Sequence, residues 1–306
     1  TPKSLPKGGR IDSVEPSIYD EGTAFISVLR YQLGDWSPYI YKTEDYGESW
    51  ELIVNGIPRD FPVRVVREDP VKKGLLYAGT EFGMYISTNE GKSWFNYQLN
   101  LPLTPITDIK IHRDDIVIST MGRSFWIMDD INFLRIESES NKPFVIKPSE
   151  SVRYRYSIAD YKINDYLEPG VFIDYFLESD DYQDIKLSIF DSKDNLINIY
   201  TNKKNNINQS VKYNMQMNKY SINITEELTN KKGYNRFRWN LRHFGILDDD
   251  EEKIIKGPIV IPGKYKLQLS LDNKNVITEE IIVLKDPNTH VSDKNLEELN
   301  YLQLEI

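Results

Sequence analysis

Eight residues recur in this chain 44 positions apart, first as Thr43-Glu44-Asp45-Tyr46-Gly47-Glu48-Ser49-Trp50 and again as Ser87-Thr88-Asn89-Glu90-Gly91-Lys92-Ser93-Trp94. Short β-rich runs returning at about 40 to 45 residues mark the blades of a β-propeller, four-stranded sheets that cannot bury their faces alone and so stack on one another. Tyr41 and Tyr85 share the same spacing and carry the match into the preceding strand.

Aligned on the motif, the first half reads as three copies of one unit. Residues 10–15, 63–67 and 106–112 give the first strands, 24–29, 75–79 and 115–120 the second, and 38–42, 84–87 and 124–128 the third. All are rich in strand-forming residues. Residues 50–54 and 94–98 add a fourth strand to the first two copies. The first copy carries an insertion at 31–37, and the third replaces the motif with Met128-Asp129-Asp130-Ile131, as a degraded terminal repeat does. A ring takes at least about four blades. The chain opens at Thr1 in mid-repeat and ends on a helix just begun over residues 292–306, so the expectation is a piece of a longer protein whose upstream propeller blades are missing.

Past residue 137 the repeat stops, and a Pro-containing polar linker is expected over 138–150. Strands then read at 171–177, 185–190 and 196–200, the last two joined by the turn residues Asp191-Ser192-Lys193-Asp194-Asn195. Residues 234–241 alternate apolar and polar, Pro262-Gly263 launches a strand over 264–271, and Asp272-Asn273-Lys274 turns it into 276–284. The expected fold class is all-β: about three four-stranded blades over 1–137, an immunoglobulin-like β-sandwich over 151–286, and a helical start over 287–306. The Asn/Lys-biased stretch 202–219 reads as a surface excursion.

Composition narrows the partners. With 306 residues and 40% hydrophobic content the chain can build two cores, and its net charge of −9 offers no basic footprint for nucleic acid. It has no Cys, which removes disulfides and thiolate metal sites, and three His, too few for a His-rich centre. No apolar run reaches the roughly 18 residues of a membrane span. No charged-then-apolar leader opens the chain. The expected cofactor complement is none.

In the pattern Ser/Thr-x-Asp-x-Gly-x-x-Trp every residue serves a hairpin. The short Asp or Asn accepts backbone N–H groups of its own turn, Gly permits a left-handed torsion, and Trp packs back into the blade. Thr43, Asp45, Gly47 and Trp50, with Ser87, Asn89, Gly91 and Trp94, are therefore read as structural. Asn89 standing where Asp45 stands argues against a catalytic acid there.

The pattern resembles the Asp-box, or BNR-type repeat, of sialidases, of some xyloglucan-degrading enzymes and of sortilin-type propellers. Arg59-Asp60-Phe61-Pro62-Val63-Arg64-Val65-Val66-Arg67, Tyr77-Ala78-Gly79-Thr80-Glu81-Phe82-Gly83 and Gly122-Arg123-Ser124-Phe125-Trp126-Ile127-Met128-Asp129-Asp130 are similar to the last blades of large bacterial proteins. Those proteins carry a sortilin-like propeller followed by an immunoglobulin-like domain and are often labelled glycosyl hydrolase. The resemblance covers most of the chain, including residues 233–241 and the Pro-Gly hairpin, and implies a secreted or periplasmic bacterial protein. The Cys-rich module that follows the propeller of animal sortilins has no counterpart here.

Blade topology says where ligands would bind. The Asp-box turns share one face with the connections between first and second strands. Residues 30–37, 80–83 and 120–123, together with 55–61 and 99–105, fall on the other, where loops on a rigid scaffold can carry a site. On that face Trp36 and Phe82 read as ligand platforms or loop seals, and Arg30 and Arg123 as forks for an anion or as ties within the scaffold. Glu81, Asp35 and Asp60 are the carboxylates from which a glycoside hydrolase would draw its acid and its base or nucleophile. A sialidase would further need an arginine cluster, which Arg30, Arg64 and Arg123 do not compose by any motif.

The remaining features read as bland. Residues 248–252 form an acidic run without calcium-loop spacing, Asn208-Gln209-Ser210 and Asn223-Ile224-Thr225 fit the glycosylation pattern, and His112 and His243 stand singly. No metal site is expected. The leading expectation is a protein that binds protein, peptide or glycan without catalysis. The alternative is a glycoside hydrolase, sialidase-like or glucan-degrading, whose site is completed by upstream blades.

Overall fold

The computed structural model describes residues 2–136, 142–154, 169–203, 222–223, 228–247 and 254–305. The acidic run at 248–252, the Asn208 sequon, Ile224 and Thr225 of the second, and most of the 202–219 stretch lie outside the described residues. Contacts divide the chain into two compact units, Thr1–Glu137 and Ser138–Ile306.

The first unit is three successive antiparallel sheets. Strands β1 (Arg10–Pro16), β2 (Ala24–Leu29), β3 (Ile40–Thr43) and β4 (Glu51–Leu52) pair in chain order as one blade, and β5 (Val63–Glu68), β6 (Leu76–Thr80), β7 (Gly83–Ser87) and β8 (Phe95–Asn96) as the next. The third sheet holds only β9 (Ile106–His112), β10 (Asp115–Thr120) and β11 (Phe125–Met128), so among the described residues it is three-stranded rather than four-stranded. Its lost fourth strand coincides with its lost motif.

Apolar residues on both faces of the middle sheet weld the three together. Phe25, Ile40, Val63, Val66, Leu76 and Trp94 form a core with the first blade, and Val65, Tyr77, Met84, Ile106, Ile109 and Ile116 a core with the third. Alternation along a strand makes this possible, since Val65 and Val66 face opposite ways. A buried network reinforces the second boundary. The carboxylate of Asp69 accepts the Tyr77 hydroxyl (2.8 Å) and Arg135 Nε (3.0 Å), and the same guanidinium reaches Asp114 (2.5 Å) and Asn132 (2.8 Å). That arrangement pins the short 3-10 segment Asn132–Arg135 to the blades.

The turns of the eight-residue repeat fold as their residues dictate. Thr43 Oγ accepts the N–H of Gly47 and Ser87 Oγ that of Gly91, both at 2.9 Å. Asp45 and Asn89 accept the N–H of Ser49 (2.8 Å) and Ser93 (2.9 Å). Tyr46-Gly47 and Glu90-Gly91 all have positive φ, the torsions of a type I′ hairpin turn. Each turn hooks onto the first-to-second connection of its own blade, Tyr46 N–H donating to Gly22 O (3.0 Å) and Glu90 N–H to Gly74 O (2.9 Å). The third blade keeps this hook without the motif, through Ile131 N–H to Asp114 O at 2.8 Å. These bonds fix the box turns and the first-to-second connections on one face.

The second unit is a β-sandwich. One sheet runs β12 (Phe144–Val145), β14 (Val171–Leu177), β18 (Gly233–Trp239), and the other β13 (Ser151–Arg153), β22 (Asn275–Lys285), β21 (Gly263–Leu271), β15 (Ile185–Phe190), β16 (Leu196–Thr201). A small sheet joins β17 (Ile222–Asn223), β19 (Gly245–Leu247) and β20 (Ile254–Ile255), and α1 (Asp293–Glu305) ends the described chain. Alternate residues Ile173, Tyr175, Ile185, Leu187, Leu267 and Leu269 fill the space between the two larger sheets. Tyr265, two residues into β21, donates its hydroxyl to Ile261 O (2.6 Å) and meets Trp239 edge-on at 5.5 Å. A tyrosine tied back a few residues upstream, beside a buried tryptophan, is a corner device of immunoglobulin-like sandwiches.

Candidate functional site

Opposite the box turns, the second-to-third connections are built alike. In the second blade Glu81 N–H donates to Pro62 O (3.0 Å) and Thr80 Oγ to Gly83 O (2.9 Å); in the third, Met121 N–H donates to Pro105 O (2.9 Å) and Thr120 Oγ to Ser124 O (2.7 Å). The backbone of these loops is therefore locked by its own chemistry while Glu81, Phe82, Met121 and Arg123 are left to vary. In the first blade the insertion takes this place. Its residues Tyr31–Leu33 form a 3-10 turn ended by Gly34, and Asp35 closes it.

Asp35 is the organiser. Its carboxylate accepts Arg30 Nε (2.7 Å), the Tyr39 hydroxyl (2.8 Å) and Ser37 N–H (3.1 Å), while Arg30 reaches on to the carbonyls of Pro6 (2.8 Å) and Lys7. Burial alone would raise the Asp35 carboxyl, but the donors from Arg30, Tyr39 and Ser37 outweigh it and hold the group down to about 2. The insertion is thus a rigid arch with Trp36 at its crest.

Trp36 meets the second blade. Its ring stacks on Phe82 at 6.4 Å with 26° between planes, Tyr31 lies 5.9 Å away on its other side, and Phe61 packs 4.8 Å from Phe82. Both central rings remain open to solvent, Trp36 at 46% and Phe82 at 36% exposure. Beneath them Arg64, only 9% exposed, pairs with Glu81 at 2.5 Å and lies 5.7 Å from the Tyr31 ring centre. Its Nε has no hydrogen-bond partner among the described residues.

Five of the seven candidate residues meet at this boundary: Arg30, Asp35, Trp36, Glu81 and Phe82. Arg30 is spent on Asp35 and two carbonyls, and is not a free anion fork. Glu81 and Asp35 each face an arginine rather than one another. Asp60 is exposed, and Arg123 is exposed on the third blade's loop, where no ion pair holds it among the described residues. Residues 55–61 were expected on this face throughout; Asn55 and Gly56 instead lie against the neighbouring box, with Asn55 O accepting Trp94 N–H at 2.8 Å. Tyr31, Phe61 and Tyr39 joined the site without having been singled out. Arg64 had a readable signal, a lone cation within the apolar run Val63-Arg64-Val65-Val66 that must find a partner when the strand is buried.

No protein-family model matches the chain, and no curated protein matches it. Solved structures do. YCF48 bound to the D1 peptide is similar over 89% of this chain and 67% of its own, at 11% identity and a TM-score of 0.30. An ancestral GH74 enzyme is similar over 89% of this chain and 38% of its own, at 14% identity and a TM-score of 0.32. Dimeric latent PorU from Porphyromonas gingivalis follows at 8% identity and 0.24, over 92% of this chain and 20% of its own. The chain spans well under half the length of the last two.

Among the described residues no group of three or more His, Asp or Glu side chains is placed to hold a metal ion, and no helix is long and apolar enough to cross a membrane.

Proposed function

We propose that this chain is the binding part of a secreted or periplasmic Asp-box propeller protein, and that it captures a polypeptide or glycan on the loop face opposite the box turns. The observation that carries the reading is the Trp36–Phe82 pair, stacked across two blades yet open to solvent. Aromatic rings held in place by a fixed arch supply contact area at little entropic cost, which is what recognition loops use. The Asp35 clasp sets the arch and the Arg64–Glu81 pair supports it from below.

The carboxylates favour binding over hydrolysis. A glycosidase needs one carboxyl that stays protonated to deliver its proton and a second facing it across the scissile bond. Asp35, held at about 2, stays ionised, and Glu81 is turned to Arg64.

The test displays glycan and peptide arrays to the 306-residue chain and to Trp36→Ala. Binding that falls about tenfold or more with the variant, as loss of an aromatic anchor covered by its ligand should give, supports the reading. Binding to neither array, or release of reducing sugar from a bound glycan, overturns it.

A further inference from the structure

The aromatic pair is one end of a longer surface. Past Phe82 the neighbouring loops are fastened to one another: Gln98 accepts Met84 N–H through Oε1 (3.2 Å) and donates through Nε2 to Leu101 O (2.7 Å) and Pro102 O (3.0 Å), and Thr104 Oγ donates to Met121 O at 3.1 Å. These bonds fasten the connection between the second and third blades beside both second-to-third loops. On this fastened backbone Leu99, Leu103 and Met121 turn outward and stand more than half exposed. Leu99 does so from a left-handed backbone at φ 45, a conformation costly for a side chain of its kind. Arg123 follows two residues after Met121, exposed and free of any ion pair among the described residues.

Resting on the binding function proposed above, we infer that the occupant of this face is an extended polypeptide, with apolar side chains on Leu99, Leu103 and Met121 and an acidic side chain on Arg123. Sugars are held by flat aromatic faces and by dense polar groups that match their hydroxyls. Three flexible aliphatic side chains supply neither, and instead fit other aliphatic side chains. The lone guanidinium selects a carboxylate, to which it donates two parallel N–H bonds. The aromatic pair across the first and second blades and the aliphatic row from the second-to-third crossing to the third blade are then two ends of one peptide track. In a chain of net charge −9, an unpaired cation on the track also sets the direction in which an acidic segment docks.

The probe is an array of random 12-residue peptides beside a glycan array, read with the parent chain and with Trp36→Ala, Arg123→Gln and the double variant Leu103→Ser, Met121→Ser. All the altered side chains are exposed, so the fold is retained, and circular dichroism checks it. The expected result is selection of peptides with apolar residues near an Asp or Glu. Arg123→Gln should weaken binding about tenfold, as expected for a charge-assisted pair, and abolish the acidic preference; the double variant should lose the apolar one. Glycan binding alone, lost with Trp36→Ala, overturns the polypeptide inference and leaves the binding function standing. Peptide binding indifferent to Arg123→Gln also overturns it. Silence on both arrays overturns the binding function itself.

Discussion

Asp45 and Asn89 occupy the same place in two successive turns and differ by a charge. Asp45 accepts the Ser49 hydroxyl (2.5 Å) and N–H as well as the Thr43 hydroxyl (2.8 Å), and these bonds, Ser49 Oγ foremost, hold its carboxyl at about 2. A carboxyl depressed on folding adds stability above its unfolded value of about 3.9. That contribution drains away as pH falls through about 2. Thermal unfolding followed from pH 7 to pH 2 should therefore show Asp45→Asn less acid-sensitive than the parent and close to it at neutral pH, because the amide oxygen of Asn89 already does the same work. Asp45→Ala should melt lower at every pH, and an Asn variant as damaged as the Ala variant at pH 7 would refute the account. The two tryptophans of the repeat differ in another way. Trp50 Nε1 bonds within its own turn, to Gly47 O at 3.1 Å, whereas Trp94 Nε1 crosses to Ile53 O of the first blade at 2.8 Å and is buried. Trp94→Phe leaves that buried carbonyl without its donor and should cost about 1–3 kcal/mol in urea unfolding; Trp50→Phe should cost less.

At the scale of elements, the crossing from the first blade to the second brings two stretches of backbone into close contact. Gly56 sits at φ 100, and a Cβ there would come within 2.2 Å of Trp94 O. Backbone cannot yield as a side-chain tip can. Gly56→Ala should therefore destabilise by more than the ~1 kcal/mol that a left-handed torsion alone costs, while Asn55→Ala, which loses one exposed bond to Lys92 O, should stay within about 1 kcal/mol; urea midpoints of the two variants make the comparison. This same connection shows where sequence reading runs out. The strands were legible because period-2 alternation and the 44-residue repeat both report burial on a blade, but four strands were expected in each blade, and the third sheet, which loses the motif at residues 128–131, holds only three among the described residues. Asn55 and Gly56 were assigned to the wrong face because β4 is only two residues long, so the chain leaves the sheet while still beside the neighbouring box. The contact of Trp36 with Phe82 was illegible for a different reason. It depends on how Arg30, Asp35 and Tyr39 clasp an insertion that has no copy elsewhere in the chain, and a repeat cannot predict what it does not contain. Tyr265 was within reach, since a Tyr two residues after Pro262-Gly263 is placed to tie its hydroxyl back across the corner.

For the whole molecule, the third blade carries an exposed apolar strand face that bears on association. The first two blades shield β3 and β7 with an outer strand, but β11 has none among the described residues, and its residues Phe125 and Ile127 are 75% and 62% exposed. Trp126 and Met128, on the other side of the strand, pack onto the inner core. A strand with one greasy face open and one edge unpaired is a template for another strand, and proteins blunt such edges with charge. The net charge of −9 opposes encounter between copies only at range, and salt shortens that range to about 8 Å at physiological strength. Association of the chain should therefore rise with salt. Ile127→Lys places a charge on the exposed face and touches none of the core, so it should suppress salt-induced light scattering while shifting the unfolding free energy by no more than about 0.5 kcal/mol. Scattering that persists in the variant would locate the association elsewhere, and a large loss of stability would mean that Ile127 is covered. Both measurements turn on the same physical point: the outer strand that the first two blades carry protects an edge, and the third blade shows what that edge is like without it.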